Sequence, residues 1–547
     1  MLVSEAVGAT LADLGGLDTV FGVVGSGNFH VTNALVAHGA RFVAARHECG
    51  AACMADAWAR GTGRVGILTV HQGPGLTNAL TGITEAAKSR TPLLVLAPEV
   101  ASAAVRSNFR IDVAALATSV GAVPDRLHSP ATAAADTARA YRTAQRERRT
   151  VVLAMPLDVQ AAHCDPPVIP PLPPLDPPAP ASAAVTRLTE ALTRAARPVF
   201  VAGRGARLAG ARADLERLAD ATGALLATSA VANGFFHGSP WDLGVSGGFA
   251  SPLAAELISN ADLVAGWGAS LNMWTMRHGK LIGPGACVMQ IDDDSTAIAA
   301  HRPVDVGVRG DVALTARAAL AGLAGRRLAG YRSEELRSRI AREARWRDVP
   351  YPDEGGDGLI DPRTLSIALD DLLPAERVVA VDSGNFMGYP SMFLSVPDEN
   401  GFCFTQAYQS IGLGLASAIG AALAQPGRLP FAALGDGGAR MGVSELETVV
   451  RLGLPMVIVV YDDEAYGAEV HHFGPDGFPL EVVRFPPADI AAIGRGFGCA
   501  GVTVRGPDDL APVRDWLAGP RDRPLVIDAK VASAHGSWWL EEAFRGH

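Results

Sequence analysis

The stretch GDGGARMGVSELETVVRLGLPMVIVVYDDEAYG, Gly435 to Gly467, decides the fold. It follows an apolar run, Leu429 to Leu434, and opens on Gly-Asp-Gly. A helix is expected over Val443 to Leu452. A second apolar strand, Pro455 to Val460, then delivers the acidic pair Asp462-Asp463. Strand, turn, helix, strand is the repeating unit of a parallel sheet. Asp436 and Asp463 are thereby brought to one sheet edge, where open α/β folds bind ligands. Glycines beside an Asp let backbone N–H groups approach a phosphate, and carboxylate oxygens suit Mg2+. Gly-Asp-Gly alone is an ordinary surface turn. The longer pattern implies a diphosphate held through a divalent metal.

The rest of the chain is built in the same way. Its 547 residues are too many for one core and suit about three domains of ordinary size. The composition, 48% hydrophobic and 19% charged, is that of a globular protein with buried sheets. The net charge is −10 and no basic stripe occurs, which argues against a nucleic-acid partner. No apolar run reaches the ~18 residues that span a bilayer. The N-terminal stretch MLVSEAVGATLADLGG contains acids and lacks a basic leader, so no signal peptide is expected. The six cysteines are scattered, with one close pair, Cys49 and Cys53; reduced thiols in a cytoplasmic protein are expected.

A proline-rich segment, DPPVIPPLPPLDPPAP from Asp165 to Pro180, can be neither helix nor central strand and reads as an extended linker. Before it, apolar strands at Thr19–Val24, Arg41–Ala45, Val65–Val70, Leu93–Ala97 and Val151–Ala154 alternate with helical stretches. After it come strands at Val199–Ala202, Asp262–Trp267 and Val288–Ile291, then a charged helix and an acidic Gly-rich loop within Arg326 to Gly358. The last third has strands at Val378–Asp382, Phe431–Leu434, Met456–Tyr461 and Leu525–Ile527. The fold class is α/β, with three doubly wound parallel-sheet domains.

Gly-Asp-Gly, a helix, an acidic pair 27 residues on and then Tyr-Gly together resemble the thiamine diphosphate motif of the 2-oxo acid decarboxylase and acetohydroxyacid synthase superfamily. The resemblance covers essentially the whole chain. It implies a pyrimidine-binding domain (1–164), a linker (165–182), a central domain (183–325), a second linker (326–360) and a diphosphate- and metal-binding domain (361–547). It implies thiamine diphosphate and Mg2+ as cofactors, with Asp436, Asp463 and the main-chain carbonyl of Ala465 as metal ligands. The family usually carries Asn-Asn where this chain has Asp462-Asp463. Asp463 keeps an oxygen donor there and adds negative charge. Gly435, Gly437, Gly438, Tyr466 and Gly467 complete the cofactor motif. Asp382-Ser383-Gly384-Asn385 follows a strand and is the expected diphosphate loop.

The family's chemistry also needs a carboxylate beside the aminopyrimidine ring. Glu48 lies at a strand-to-helix junction and on spacing alone could equally be an ordinary first-turn acid favoured by the helix dipole. The surrounding Arg46-His47-Glu48 segment, followed by Ala55-Asp56-Ala57-Trp58, looks like the family's glutamate segment and implies the catalytic role. Ile411, 25 residues before Asp436, is either a core residue or the apolar wedge that keeps the cofactor bent; the resemblance implies the wedge, with Gln409 and the neighbouring glycines beside it. Gly73 to Asn78, in His-Gln-Gly-Pro-Gly-Leu-Thr-Asn, resembles the family's turn over the cofactor. His71 and Ser26 match an active-site histidine and serine of benzoylformate decarboxylase. A satisfied loop histidine is the other reading of His71. His471-His472 could contact substrate, with His472 in the pocket position, or be a solvated loop. Adjacent residues point apart, and no third His or Cys is near, so they are not read as metal ligands.

The substrate pocket matches no familiar member. Asn108-Phe109-Arg110 stands where acetohydroxyacid synthases have Phe-Gln-Glu, and His472 where they have a tryptophan. Gly203-Arg204-Gly205 touches FAD in some relatives, but FAD is not expected here. The expected function is thiamine diphosphate- and Mg2+-dependent decarboxylation of a 2-oxo acid with carboligation to an acceptor carbonyl, similar to acetolactate synthase. The alternatives are a non-oxidative decarboxylase or C–C lyase resembling benzoylformate decarboxylase, and a non-catalytic regulatory subunit of the same fold. Glu48 and the metal motif lie in different domains, and the resemblance implies that these come from different subunits of a homodimer or dimer of dimers.

Overall fold

Short runs of Val, Ile, Leu and Ala, bounded by Gly and polar turns, form three separate six-stranded sheets in which every strand pair is parallel. The computed structural model describes residues 1–543. The first sheet contains β1 (Thr19–Gly22), β2 (Arg41–Ala44), β3 (Gly66–Thr69), β4 (Leu93–Glu99), β5 (Val123–Arg126) and β6 (Thr150–Pro156), in the order β2-β1-β3-β4-β6-β5. The second contains β7 (Pro198–Ala202), β8 (Leu225–Thr228), β9 (Asp242–Val245), β10 (Leu263–Trp267), β11 (Cys287–Asp292) and β12 (Val306–Arg309), in the order β12-β11-β10-β7-β8-β9. The third contains β13 (Arg377–Val381), β14 (Phe402–Phe404), β15 (Leu429–Gly435), β16 (Val457–Asp462), β17 (Ala500–Val504) and β18 (Leu525–Lys530), in the order β14-β13-β15-β16-β18-β17.

Each sheet winds outward in one direction from its first strand and then back in the other. The reversals fall between β1 and β3, β7 and β10, and β13 and β15. Ligands bind such sheets at the carboxyl ends of the strands flanking the reversal. Each reversal here carries a loop singled out by sequence: Ser26 and His71, Gly203–Gly205, and Asp382 with Asp436.

The first and third domains share one core. Helix Glu48–Thr62 lies between Pro74–Lys88 and Gly414–Ala424, burying Met54, Ala57, Leu415, Ala418 and Ile419. Small residues allow the close approach: a Cβ at Gly420 would overlap the Met54 carbonyl. Buried ions reinforce the contact. Arg60 pairs with Asp56 (2.7 Å) and Glu85 (2.8 Å), and Glu85 accepts from the N–H groups of Ala407 (3.1 Å) and Tyr408 (2.7 Å) in the third domain.

The central domain keeps its own cores around Phe200, Trp267 and Leu257. Arg142 and Arg146 donate to the Pro170 (2.7 Å) and Pro173 (3.2 Å) carbonyls, clasping the proline segment to the first domain. The second connecting segment is not loose: helix Glu334–Glu343 buries Ile340 in a central-domain core. All six cysteines are free. Among the described residues no helix is long and apolar enough to cross a membrane.

Candidate active site

The deciding stretch folds nearly as read. The expected helix runs Glu445–Arg451, a further short helix, Asp436–Met441, forms where a turn was expected, and the second strand runs Val457–Asp462. Gly435 on β15 pairs in register with Tyr461 on β16, so Asp436 and Asp463 emerge side by side at the carboxyl edge. Asp436 is 1% exposed and its Oδ2 has no hydrogen-bond partner. Burial, then the nearby Asp463 and Asp462 charges, push the Asp436 carboxyl up to about 8. Burial and Asp462 push Asp463 to about 7. Asp462 has a different fate: Lys530 bonds it, and also reaches Asp528 (3.1 Å) and the Ala488 carbonyl (2.8 Å).

Two buried acids held together, with the Arg440 guanidinium 3.6 Å from Asp436, are what a divalent ion would relieve. Among the described residues no group of three or more His, Cys, Asp or Glu could hold a metal, so other ligands would have to come from main chain or cofactor. Ala465, the expected main-chain ligand, lies in the turn that follows Asp463. The turn is reversed at Glu464 (φ 57°) and pinned by Tyr466 N–H to the Val483 carbonyl (2.8 Å) and Phe485 N–H to the Glu464 carbonyl (2.7 Å). Space is left by glycine: a Cβ at Gly467 would overlap Asp463 Oδ2, and one at Gly437 would stand 2.6 Å from the Tyr466 ring. The residues present therefore fit a metal-bound diphosphate.

Asp382, at the end of β13, organises the opposite wall. Its buried carboxylate accepts from the N–H groups of Ser383 (2.8 Å), Gly412 (3.0 Å) and Leu413 (3.2 Å). Burial raises its carboxyl to about 6 against those bonds. It thereby holds the turn bearing half-buried Ile411, which precedes helix Gly414–Ala424. Gly438 lies against Asp382, where a Cβ would overlap Oδ2. Ser383, Gly384 and Asn385 stand on this loop, and Asn385 lies beside Gly467. Its Oδ1 accepts from Ser537 N–H (2.9 Å), and its carbonyl accepts from Ser537 Oγ (2.6 Å) and Trp539 Nε1 (2.9 Å). Gln409 (φ 58°) is exposed on the wall of a separate cavity.

In the first domain Glu48 is the first residue of helix Glu48–Thr62, and Asn78 Nδ2 donates to its Oε2 (3.0 Å). The N–H groups of Arg46 and His47 both donate to Glu445 Oε1 (3.0 Å each), and Thr448 Oγ1 donates to its other oxygen (2.6 Å). Glu445 thus fixes the backbone that presents Glu48. It was not found by sequence reasoning; the signal available was an acid in the first turn of a helix beside the motif.

His71 Nδ1 accepts from Gly27 N–H (3.2 Å), so the neutral ring carries its proton on Nε2. Phe109 packs edge-on against it at 5.3 Å. Ser26 is exposed between Gly25 and Gly27, and its loop lies on His71. Gly73 (φ 71°) makes the turn into helix Pro74–Lys88. His472 lies on helix Gly467–Phe473 with its ring against Phe473 (4.5 Å). His471 turns inward against Gly536, its Nε2 buried without a hydrogen bond.

The separate cavity, about 910 Å³, lies where the three domains meet. Arg90, Arg148 and Arg204 line one part, Phe249, Trp274 and Trp539 another. The Gly203-Arg204-Gly205 turn there packs tightly on Gly268, and Arg204 donates to the Ser89 carbonyl of the first domain.

Three family models match in order along the chain. They are the thiamine pyrophosphate enzyme N-terminal TPP binding domain (residues 1–117), central domain (185–319) and C-terminal TPP binding domain (382–529). The chain is 31% identical to a probable 2-ketoarginine decarboxylase, AruI, of Pseudomonas aeruginosa, over 92% of this chain and 89% of that one. It is 30% identical to a sulfoacetaldehyde acetyltransferase of Rhodobacter capsulatus, over 96% and 94%. It is 27% identical to the acetolactate synthase isozyme 2 large subunit of Escherichia coli, over 96% and 95%.

Proposed function

The chain belongs to the thiamine pyrophosphate enzymes, and from that premise we propose that it uses thiamine diphosphate and Mg2+ to decarboxylate a 2-oxo acid and join the remaining fragment to an acceptor carbonyl. The observation that carries this reading is the buried Asp436–Asp463 pair at the β15–β16 edge. Relatives named as a synthase, an acetyltransferase and a decarboxylase support the same breadth of chemistry. When bound, the cofactor supplies a nucleophilic carbon and an electron sink for breaking the bond beside a carbonyl.

This chain's residues do the rest. Asp436, Asp463 and the Ala465 carbonyl hold the metal, and the glycines beside them leave room for the diphosphate. Ile411 supports the cofactor from the turn stapled by Asp382. Glu48, fixed by Asn78 and by the Glu445-held backbone, is the carboxylate for the aminopyrimidine ring. His71, with its proton on Nε2, donates or takes a proton at the reacting end, beside Ser26. That His71–Ser26 juxtaposition favours a second reading, simple protonation of the fragment to an aldehyde. Glu48 and the metal motif lie in different domains, and the site is proposed to close across a two-fold axis in a homodimer or dimer of dimers.

Incubation with a panel of 2-oxo acids, with and without aldehyde or 2-oxo acid acceptors, tests the reading. Cofactor-dependent acyloin formation is the expected result. Free aldehyde alone would establish the second reading. No turnover with any donor would contradict both and leave a non-catalytic subunit.

A further inference from the structure

Arg440 lies on helix Asp436–Met441, one turn beyond Asp436. Its Nη2 stands 3.6 Å from Asp436 Oδ2, too far for a hydrogen bond. Its Nε and Nη2 are both buried from solvent and neither has a hydrogen-bond partner among the described residues. The guanidinium is held over the Phe485 ring at 5.4 Å. Phe485 in turn packs edge-on against Tyr466 at 4.7 Å and is tied by its N–H to the Glu464 carbonyl. A fixed cation with two unused hydrogen-bond donors thus stands at ion-pair distance from Asp436 without hydrogen-bonding it.

Charge gives these donors a purpose. Asp436 and Asp463 together balance one divalent ion, while Lys530 already neutralises Asp462. A diphosphate ester brings two or more further negative charges to the same place. The carboxylates that attract the metal repel that ester. A guanidinium presents a planar fork matched to phosphate oxygens, and such charge-assisted bonds are among the stronger ones in proteins.

We propose that Arg440 is a diphosphate-binding residue of this chain, its free Nε and Nη2 donating to the cofactor's phosphate oxygens and offsetting the charge that Asp463 adds to the site. The proposal rests on the thiamine diphosphate and Mg2+ reading above. It deepens that reading by naming a further side chain that makes the two-carboxylate edge acceptable to an anion.

The test is a double-mutant cycle read by calorimetry, not by turnover. Thiamine diphosphate is titrated at saturating Mg2+ into wild type, Arg440→Gln, Arg440→Lys, Asp463→Asn and the Arg440→Gln/Asp463→Asn double variant. Mg2+ alone is titrated into the same apoproteins. Arg440→Gln should weaken cofactor binding about tenfold or more, the scale of one lost charge-assisted bond. Its Mg2+ affinity should not fall, because removing a positive charge cannot repel a cation. Arg440→Lys, which keeps the charge and changes the fold least, should lose less. In the Asp463→Asn background the loss from Arg440→Gln should shrink. Wild-type cofactor affinity in Arg440→Gln, an equal loss in both backgrounds, or joint loss of Mg2+ and cofactor binding would each overturn the proposal. A wild-type protein that shows no Mg2+-dependent cofactor binding would instead overturn the underlying reading.

Discussion

Asp462 and Asp463 are adjacent in sequence, yet one is paired with Lys530 and the other faces Asp436. That division leaves one carboxylate of the turn free for the proposed metal. With only two side-chain carboxylates to hold the ion, losing one should be severe. Asp436→Ala should weaken Mg2+-dependent thiamine diphosphate binding by at least the ~100-fold that losing an outer-shell partner can cost. Calorimetry at fixed Mg2+ checks this, and unchanged affinity would contradict it. The acids of this site were legible because spacing along one strand–helix–strand unit fixes where they emerge. Glu445 and Lys530 were not, because their partners lie elsewhere: Glu445 bonds Arg46 and His47, and Lys530 meets Asp462 only through the β16–β18 register. The bonds that tie Asn385 to Ser537 and Trp539 were not legible either, since those partners lie 152 and 154 residues away.

The edge of β15 and β16 has a measurable charge balance of its own. Both carboxyls titrate well above the ~3.9 of a free Asp, so the apo fold prefers them protonated. That contribution is complete below about pH 4 and is lost as pH rises through about 7 and 8. Bound Mg2+ requires the ionised forms, so its stabilisation runs the other way. Scanning calorimetry should therefore show the apoprotein losing stability from pH 6 to pH 8.5 while the Mg2+-induced rise in Tm grows. A Mg2+ shift that is flat or shrinks over that range would contradict the assignment. Strands at this scale were readable where both faces are buried, as in β15 and β16, since these give continuous apolar runs. The edge strands β5, β9, β12, β14 and β17 went unread. Most are partly exposed and interrupted by polar residues, such as Pro124-Asp125 in β5, or are as short as the three residues of β14. The inner strand β8 was also missed; Leu225–Thr228 is four residues long and gives too short a run to stand out.

At the scale of the molecule, the three sheets place their reversals at three loops, and two of these carry the halves of one proposed cofactor site. The first half is Glu48, His71 and Ser26; the second is Asp436, Asp463 and Ile411. Glu48 hydrogen-bonds only within its own domain, to Asn78. Around both halves large apolar side chains stay exposed, including Val24, Phe29 and Phe109 on one and Tyr408 and Met441 on the other. Such patches mark surfaces that a partner covers. The proposed occupant is a second copy of the chain, with each half-site completing the other's. The domain order was legible from the strand alternation and the proline segment. The shared site is expected from the family resemblance alone, since no spacing within one chain encodes a two-fold axis. Complementation measures it. Glu48→Gln and Asp436→Ala chains, each inactive alone, are mixed equally under conditions of proven subunit exchange, and cofactor-dependent turnover is followed. A site shared between subunits predicts recovery to about a quarter of wild-type activity, because half of the dimers are mixed and each has one intact site of two. No recovery despite exchange, or a wild-type monomer that still turns over, would contradict the shared site.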